Sequence, residues 1–143
     1  MEESLKRLEV AEPLKHPEQY SALTLAYVGD AVYELYIRGM LALRGNIPAG
    51  RLHKEAVHYV NAHTQAVIMA ELADQLTEKE LSVARRGKNA KPHSMSKNAD
   101  PAEHAKATGL EALLGYLYLS RQEERLRELL EHSVRIADNE NKT

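Results

Sequence analysis

Asp30 and Glu111 are the side chains whose type and setting most demand chemistry. Each interrupts an apolar stretch, Asp30 in LTLAYVGDAVYELYI (residues 23–37) and Glu111 in ATGLEALLGYLYL (residues 107–119). An ionised carboxylate taken out of water is costly unless it is hydrogen-bonded, paired with a cation or bound to a metal. At helical spacing Asp30 has Ala26, Tyr27, Tyr33 and Glu34 as neighbours, and Glu111 has Ala107, Thr108, Leu114 and Gly115. None is cationic, so a partner must come from elsewhere. If the two segments are helices that face each other, Gly29 and Gly115 let their backbones approach. Both acids then meet at one point, a candidate site for a hard divalent cation with oxygen ligands, magnesium or manganese.

The elements that must position this pair read as helices nearly throughout. No alternating Val/Ile/Thr run is bounded by hairpin turns, so the fold class is all-α. Pro17 and Glu18 can open a helix reaching about Leu43, apolar around most of its circumference between Leu23 and Met40 and therefore expected at the centre of the bundle. Gly45, Asn46 and Pro48 stop it. Residues 50–76 carry a second helical pattern with a break near Asn61, which makes two helices. Thr77 with Glu80 is a capping box that starts a short helix, expected to end at Gly87. GKNAKPHSMSKNAD (87–100) reads as a loop, and Pro101 to Leu119 as the helix of Glu111. The segment 121–137 is an amphipathic outer helix with Leu126, Leu129, Leu130, Val134 and Ile136 inward and a fraying tail after it.

The 143 residues suit a single domain, with a core over about 19–137 and peripheral ends at 1–16 and 138–143. With no cysteine there is no disulfide, zinc–thiolate site or thiol nucleophile, in keeping with a reducing cytoplasm. No apolar run approaches the ~20 residues of a membrane span, and the charged N-terminus is unlike a signal peptide. The formal net charge of −2 argues against a general polyanion binder. Its distribution is more telling. No acid lies between Glu80 and Asp100, whereas Arg85, Arg86, Lys88, Lys91 and Lys97 do, a basic strip that suits an anionic partner met at one face. Phe and Trp are absent, which disfavours single-strand binding on aromatic platforms. His53, His58 and His63 recur every five residues and rotate around a helix, so they read as surface histidines. Glu34, one turn from Asp30, could accept a metal-bound water, but reads first as an exposed helix or interface glutamate.

YVGDAVYELYI around Asp30 resembles the catalytic helix of the ribonuclease III family, and TGLEALLGYLYL around Glu111 resembles its second acidic motif. LHK (52–54), VNAHTQA (60–66) and RRGKNAK (85–91) extend the likeness, in matching order, over about residues 19–130. With no double-stranded-RNA-binding domain following, the chain looks like the Mini-ribonuclease III group. The resemblance implies a dimeric all-α endonuclease domain that cuts double-stranded RNA with magnesium, leaving 5′-phosphate and 3′-hydroxyl ends. Its expected substrate is a precursor 23S ribosomal RNA stem, with a large-subunit ribosomal protein as a possible helper. Asp30 and Glu111 carry over as catalytic metal ligands. Arg85, Arg86, Lys88, Asn89, Lys91 and Lys97 are the candidate RNA contacts, and Ser94 to Ser96 could add hydrogen bonds. Leu23 and Thr108 stand where full-length members have two further acids, a reduced set shared within the Mini group. Thr108 could hold a metal-bound water. Two other readings compete: a non-catalytic RNA-binding module, and an all-α nucleotide pyrophosphatase. The latter needs several acids at helical spacing, and Glu111 has none.

Overall fold

A computed structural model describes residues 12–91 and 100–141. Six α-helices occupy them: α1 (Ala22–Arg44), α2 (Ala49–Val57), α3 (Ala62–Leu72), α4 (Glu78–Asn89), α5 (Pro101–Leu119) and α6 (Glu123–Asn141), with 3-10 turns at Pro17–Gln19 and Ala73–Gln75. No strand occurs among the described residues, as the all-α expectation required.

Local chemistry sets the helix starts. The Ser21 hydroxyl accepts from the amide of Leu23 at 3.1 Å, and the Asn61 side chain accepts from that of Thr64 at 2.8 Å, so the break near Asn61 is the cap of α3. Thr77 and Glu80 form the expected capping box. Asp100 caps α5 through the amides of Ala102 and Glu103, with Pro101 in the first turn.

The centre of the bundle is α5, where the sequence pattern points to α1. Leu110, Leu113, Leu114 and Leu117 are fully buried, and α1, α3, α4 and α6 all pack against this helix. Helix α1 buries one face through Leu25, Tyr33, Ile37 and Leu41, while Tyr27 (81 % exposed) and Leu35 (58 %) stay outside. Its start is also later than expected, because Tyr20 is extended and separates the Pro17–Gln19 turn from the helix.

Two glycine crossings fix the helices around α5. A Cβ on Gly29 would lie 1.7 Å from the carbonyl oxygen of Glu111, and one on Gly115 would lie 1.9 Å from that of Leu25, so α1 and α5 touch backbone to backbone. A Cβ on Gly87 would meet the Cα of Gly109 at 2.9 Å and the Cβ of Ala112 at 2.8 Å. Gly87 therefore does not end α4, which runs on to Asn89. Its missing side chain is used for close packing against α5.

Helix α6 also runs beyond the expected fraying point, to Asn141. Asp138 accepts a 2.6 Å hydrogen bond from the Tyr59 hydroxyl, and Tyr33 donates to the Tyr59 carbonyl at 2.7 Å, which ties α1, the α2–α3 corner and α6 together. The guanidinium of Arg125 holds the buried Glu80 through two bonds of 2.9 and 2.8 Å and also reaches the Gln75 carbonyl. No helix of the described residues is long and apolar enough to cross a membrane.

Candidate active site

The crossing of α1 and α5 places the acid pair. Gly29 rests on the carbonyl of Glu111, and Asp30, the next residue, is carried to the Glu111 side chain, where the two carboxyls are hydrogen-bonded. Asp30 itself is exposed, contrary to the buried setting its apolar neighbours suggest. Glu111 is the partly buried member of the pair. The sequence context misleads because α1 also carries Tyr27 and Leu35, apolar residues that have no cover in one copy of the chain.

Burial pushes the Glu111 carboxyl up to about 8, with the neighbouring charge of Asp30 as the next cause and that of Glu34 a smaller one. Two carboxylates in contact cannot both ionise cheaply. Opposing this, Gln65 on α3 hydrogen-bonds to Glu111 and favours its charged form. The Gln65 side chain is only 5 % exposed, a buried amide aimed at the acid from a third helix. Sequence reasoning misses this role. Its one signal is a place within the VNAHTQA segment, where Gln65 stands directly before the apolar run 66–70 of α3.

Thr108, also buried, donates its hydroxyl proton to the His104 carbonyl at 2.9 Å, so towards the site its oxygen can only accept. Glu34 pairs with Arg38 at 2.9 Å on the solvent side of α1, yet its charge still reaches Glu111. No cluster of three or more His, Cys, Asp or Glu residues suited to a metal occurs among the described residues. Asp30 and Glu111 therefore stand as a two-acid site, which disfavours the many-acid arrangement of a nucleotide pyrophosphatase. The donors fit a hard divalent cation. Both acids offer oxygen, and a bound cation would favour the ionised form of Glu111 that burial now opposes.

The basic strip divides. Arg85, Lys88, Asn89 and Lys91 are exposed at the end of α4. Arg86 faces the other way and donates to the carbonyls of Pro17, at 3.2 Å, and Tyr20, pinning the N-terminal turn to α4. Its place in the strip does not make it free for an anion. Lys97 and Ser94 to Ser96 lie outside the described residues. His63, read from sequence as a surface histidine, is exposed but bonds Glu103 of α5 and, at 3.0 Å, Glu140 of α6. Those bonds raise its pKa, that to Glu103 most.

Comparison with known proteins shows the family of this fold. Residues 23–122 match the Ribonuclease III domain, a span that contains both acids and the glycines of their crossing. A Mini-ribonuclease 3 of Symbiobacterium thermophilum is 52 % identical over 118 residues, covering 82 % of this chain and 91 % of that protein. One of Enterococcus faecalis is 46 % identical over 120 residues, with the same coverage of 82 % and 91 %. A crystal structure of a Fusobacterium nucleatum protein superposes with a TM-score of 0.76 at 31 % identity, covering 85 % of this chain and 98 % of the other. Likeness of this degree, over nearly the whole length of those relatives, means that the chain belongs to the ribonuclease III family and is an endoribonuclease.

Proposed function

We propose that this endoribonuclease cuts double-stranded RNA with magnesium and trims stems of precursor 23S ribosomal RNA in the cytoplasm, as a homodimer. The observation that supports it most is the Asp30–Glu111 contact, in which two acids from different helices meet at an accessible edge and the Glu111 carboxyl is pushed up.

Asp30 and Glu111 would hold the cation, and manganese could substitute. When bound, the ion supplies an activated water and charge neutralisation at the scissile phosphate. The chain's own residues prepare for it. Glu111 would release its proton to solvent on binding the ion, Gln65 keeps that carboxylate oriented by hydrogen bonding to it, and the rigid crossing of Gly29 with Gly115 holds the two acids in register. No side-chain nucleophile is required, and the products carry 5′-phosphate and 3′-hydroxyl ends. Arg85, Lys88, Asn89, Lys91 and Lys97 are the proposed contacts to RNA, with Arg86 as a tether behind them.

The dimer reading rests on the outer face of α1. Val28, Val32, Leu35 and Tyr36 form an open apolar groove of about 420 Å³ with Leu126 and Leu130 of α6, beside the exposed Tyr27. A second copy would cover it and set two acid pairs across one duplex for a staggered cut. A large-subunit ribosomal protein bound near the stem could assist.

The deciding experiment incubates the chain and its Asp30→Asn variant with a long RNA duplex and magnesium, beside nucleoside triphosphates. Cleavage by the parent alone, with ends of the stated chemistry, is the expected outcome. Pyrophosphate release with an intact duplex would overturn it.

A further inference from the structure

A second concavity lies between α3, α4 and α5, apart from the acid pair. It measures about 260 Å³, and Met69, Leu81 and Ala84 contribute apolar lining. Arg85, Lys88 and Lys106 complete its wall, and no acid lines it. None of the three cations forms an ion pair with a described residue. Lys106 lies outside the basic strip in sequence, beyond Asp100 and Glu103, so only the packing of α5 against α4 brings it to Arg85 and Lys88. It is half-buried, whereas the other two are exposed. A lysine in that position lays its methylene stem on the apolar lining and keeps its ammonium at the rim.

We propose that Arg85, Lys88 and Lys106 form a phosphate subsite for the backbone of the RNA duplex, with Lys106 as a binding residue beyond the α4 strip. The proposal rests on the endoribonuclease reading and adds to it a place where one phosphate is held away from the scissile bond. Three converging cations without a counter-ion among the described residues suit a phosphodiester, which needs charge but no sequence-specific partner. The subsite is coupled rigidly to the catalytic pair. Lys106 and Glu111 share α5, about 7.5 Å apart along its axis. Lys88 is locked to the same helix, because a Cβ on Gly109 would meet the Ala84 carbonyl at 2.8 Å and the Lys88 amide at 3.5 Å. A phosphate fixed here therefore fixes the register of the strand relative to Asp30 and Glu111.

The test is the salt dependence of duplex binding, measured with a defined RNA duplex in the absence of magnesium. Lys106→Gln is expected to weaken binding and flatten the log–log salt slope by about 0.9, so that the fall in affinity between 50 and 200 mM salt shrinks roughly 3.5-fold. Lys88→Gln, across the pocket, should show the same loss independently. Lys106→Arg should restore the slope, and Lys79→Gln, an exposed cation outside the pocket, should leave it at the parent value. A parent that cuts duplex RNA, with an unchanged slope in Lys106→Gln and Lys88→Gln, overturns the subsite alone. A parent that neither binds nor cuts duplex RNA overturns the functional reading beneath it.

Discussion

Gly29 lies against the carbonyl of Glu111 so closely that a Cβ there would sit 1.7 Å from the oxygen. No side chain can move to relieve such a contact, because both partners are backbone. Gly29→Ala must therefore push α1 away from α5, and the expected cost is about 3 kcal/mol or more, with loss of cleavage. Gly39, on the same helix, has nothing within 4 Å of its would-be Cβ. Gly39→Ala is accordingly expected to stabilise by about 0.5 to 1 kcal/mol through helix propensity. Urea denaturation of the two variants gives opposite signs if the crossing is as described, and a Gly29→Ala protein of parental stability would refute it.

Glu111 makes the metal-free protein sensitive to pH. Its carboxyl holds a proton up to about pH 8 in the fold, whereas its ordinary value is 4.5. Between those limits the folded chain binds more protons than the unfolded chain, so this contribution is full below 4.5 and is lost as pH rises towards 8. Glu111→Gln cannot ionise and removes the acid–acid conflict. Without metal it should melt higher than the parent at pH 8, by an amount equivalent to about 2 kcal/mol, and show little difference at pH 4.5. Magnesium should raise the melting temperature of the parent and not that of the variant. Thermal melts at the two pH values, with and without magnesium, read all of this.

Arg85 and Arg86 are adjacent in sequence but should separate by experiment. Arg86→Ala loses charge-assisted bonds to the Pro17 and Tyr20 carbonyls and is expected to destabilise by about 1 to 2 kcal/mol. Arg85→Gln should leave stability within about 0.5 kcal/mol of the parent, as an exposed substitution does, and weaken duplex binding instead. Equal effects of the two on both readouts would remove the division of the strip.

His63 bridges α5 and α6 through Glu103 and Glu140, and these acids raise its pKa above the ordinary 6.5. Its contribution to stability is full below 6.5 and disappears as pH rises through the higher folded value. His63→Gln should therefore be less stable than the parent at pH 6 and nearly equal to it at pH 9. Because the ring is exposed, the gap should shrink with added salt. A gap independent of pH would assign the residue a packing role.

Local signals in the chain predict the caps well. The capping box at Thr77, the break at Asn61 and the start at Pro101 each depend on residues within a few positions of one another, and the structure has all of them. Gly87 misleads for the opposite reason. A glycine near the end of a helical pattern looks like a stop, and only the approach of Gly109 from α5 shows that the absent side chain serves packing. The polar run after Ala137 misleads similarly at the C-terminal end: Asp138 is kept in helix by Tyr59, 79 residues away.

By itself the sequence determined the all-α class, the two acids, the family, and the glycines that would let their helices meet. These are legible because helical periodicity, caps and a carboxylate in an apolar run are properties of neighbouring residues. The tertiary structure alone decided that α5 rather than α1 is the centre, that Gln65 supports Glu111 from a third helix, that Arg86 turns away from the basic face and that Lys106 joins it. Each of those follows from which helix faces pack together, a long-range choice made by the whole core that no local pattern records.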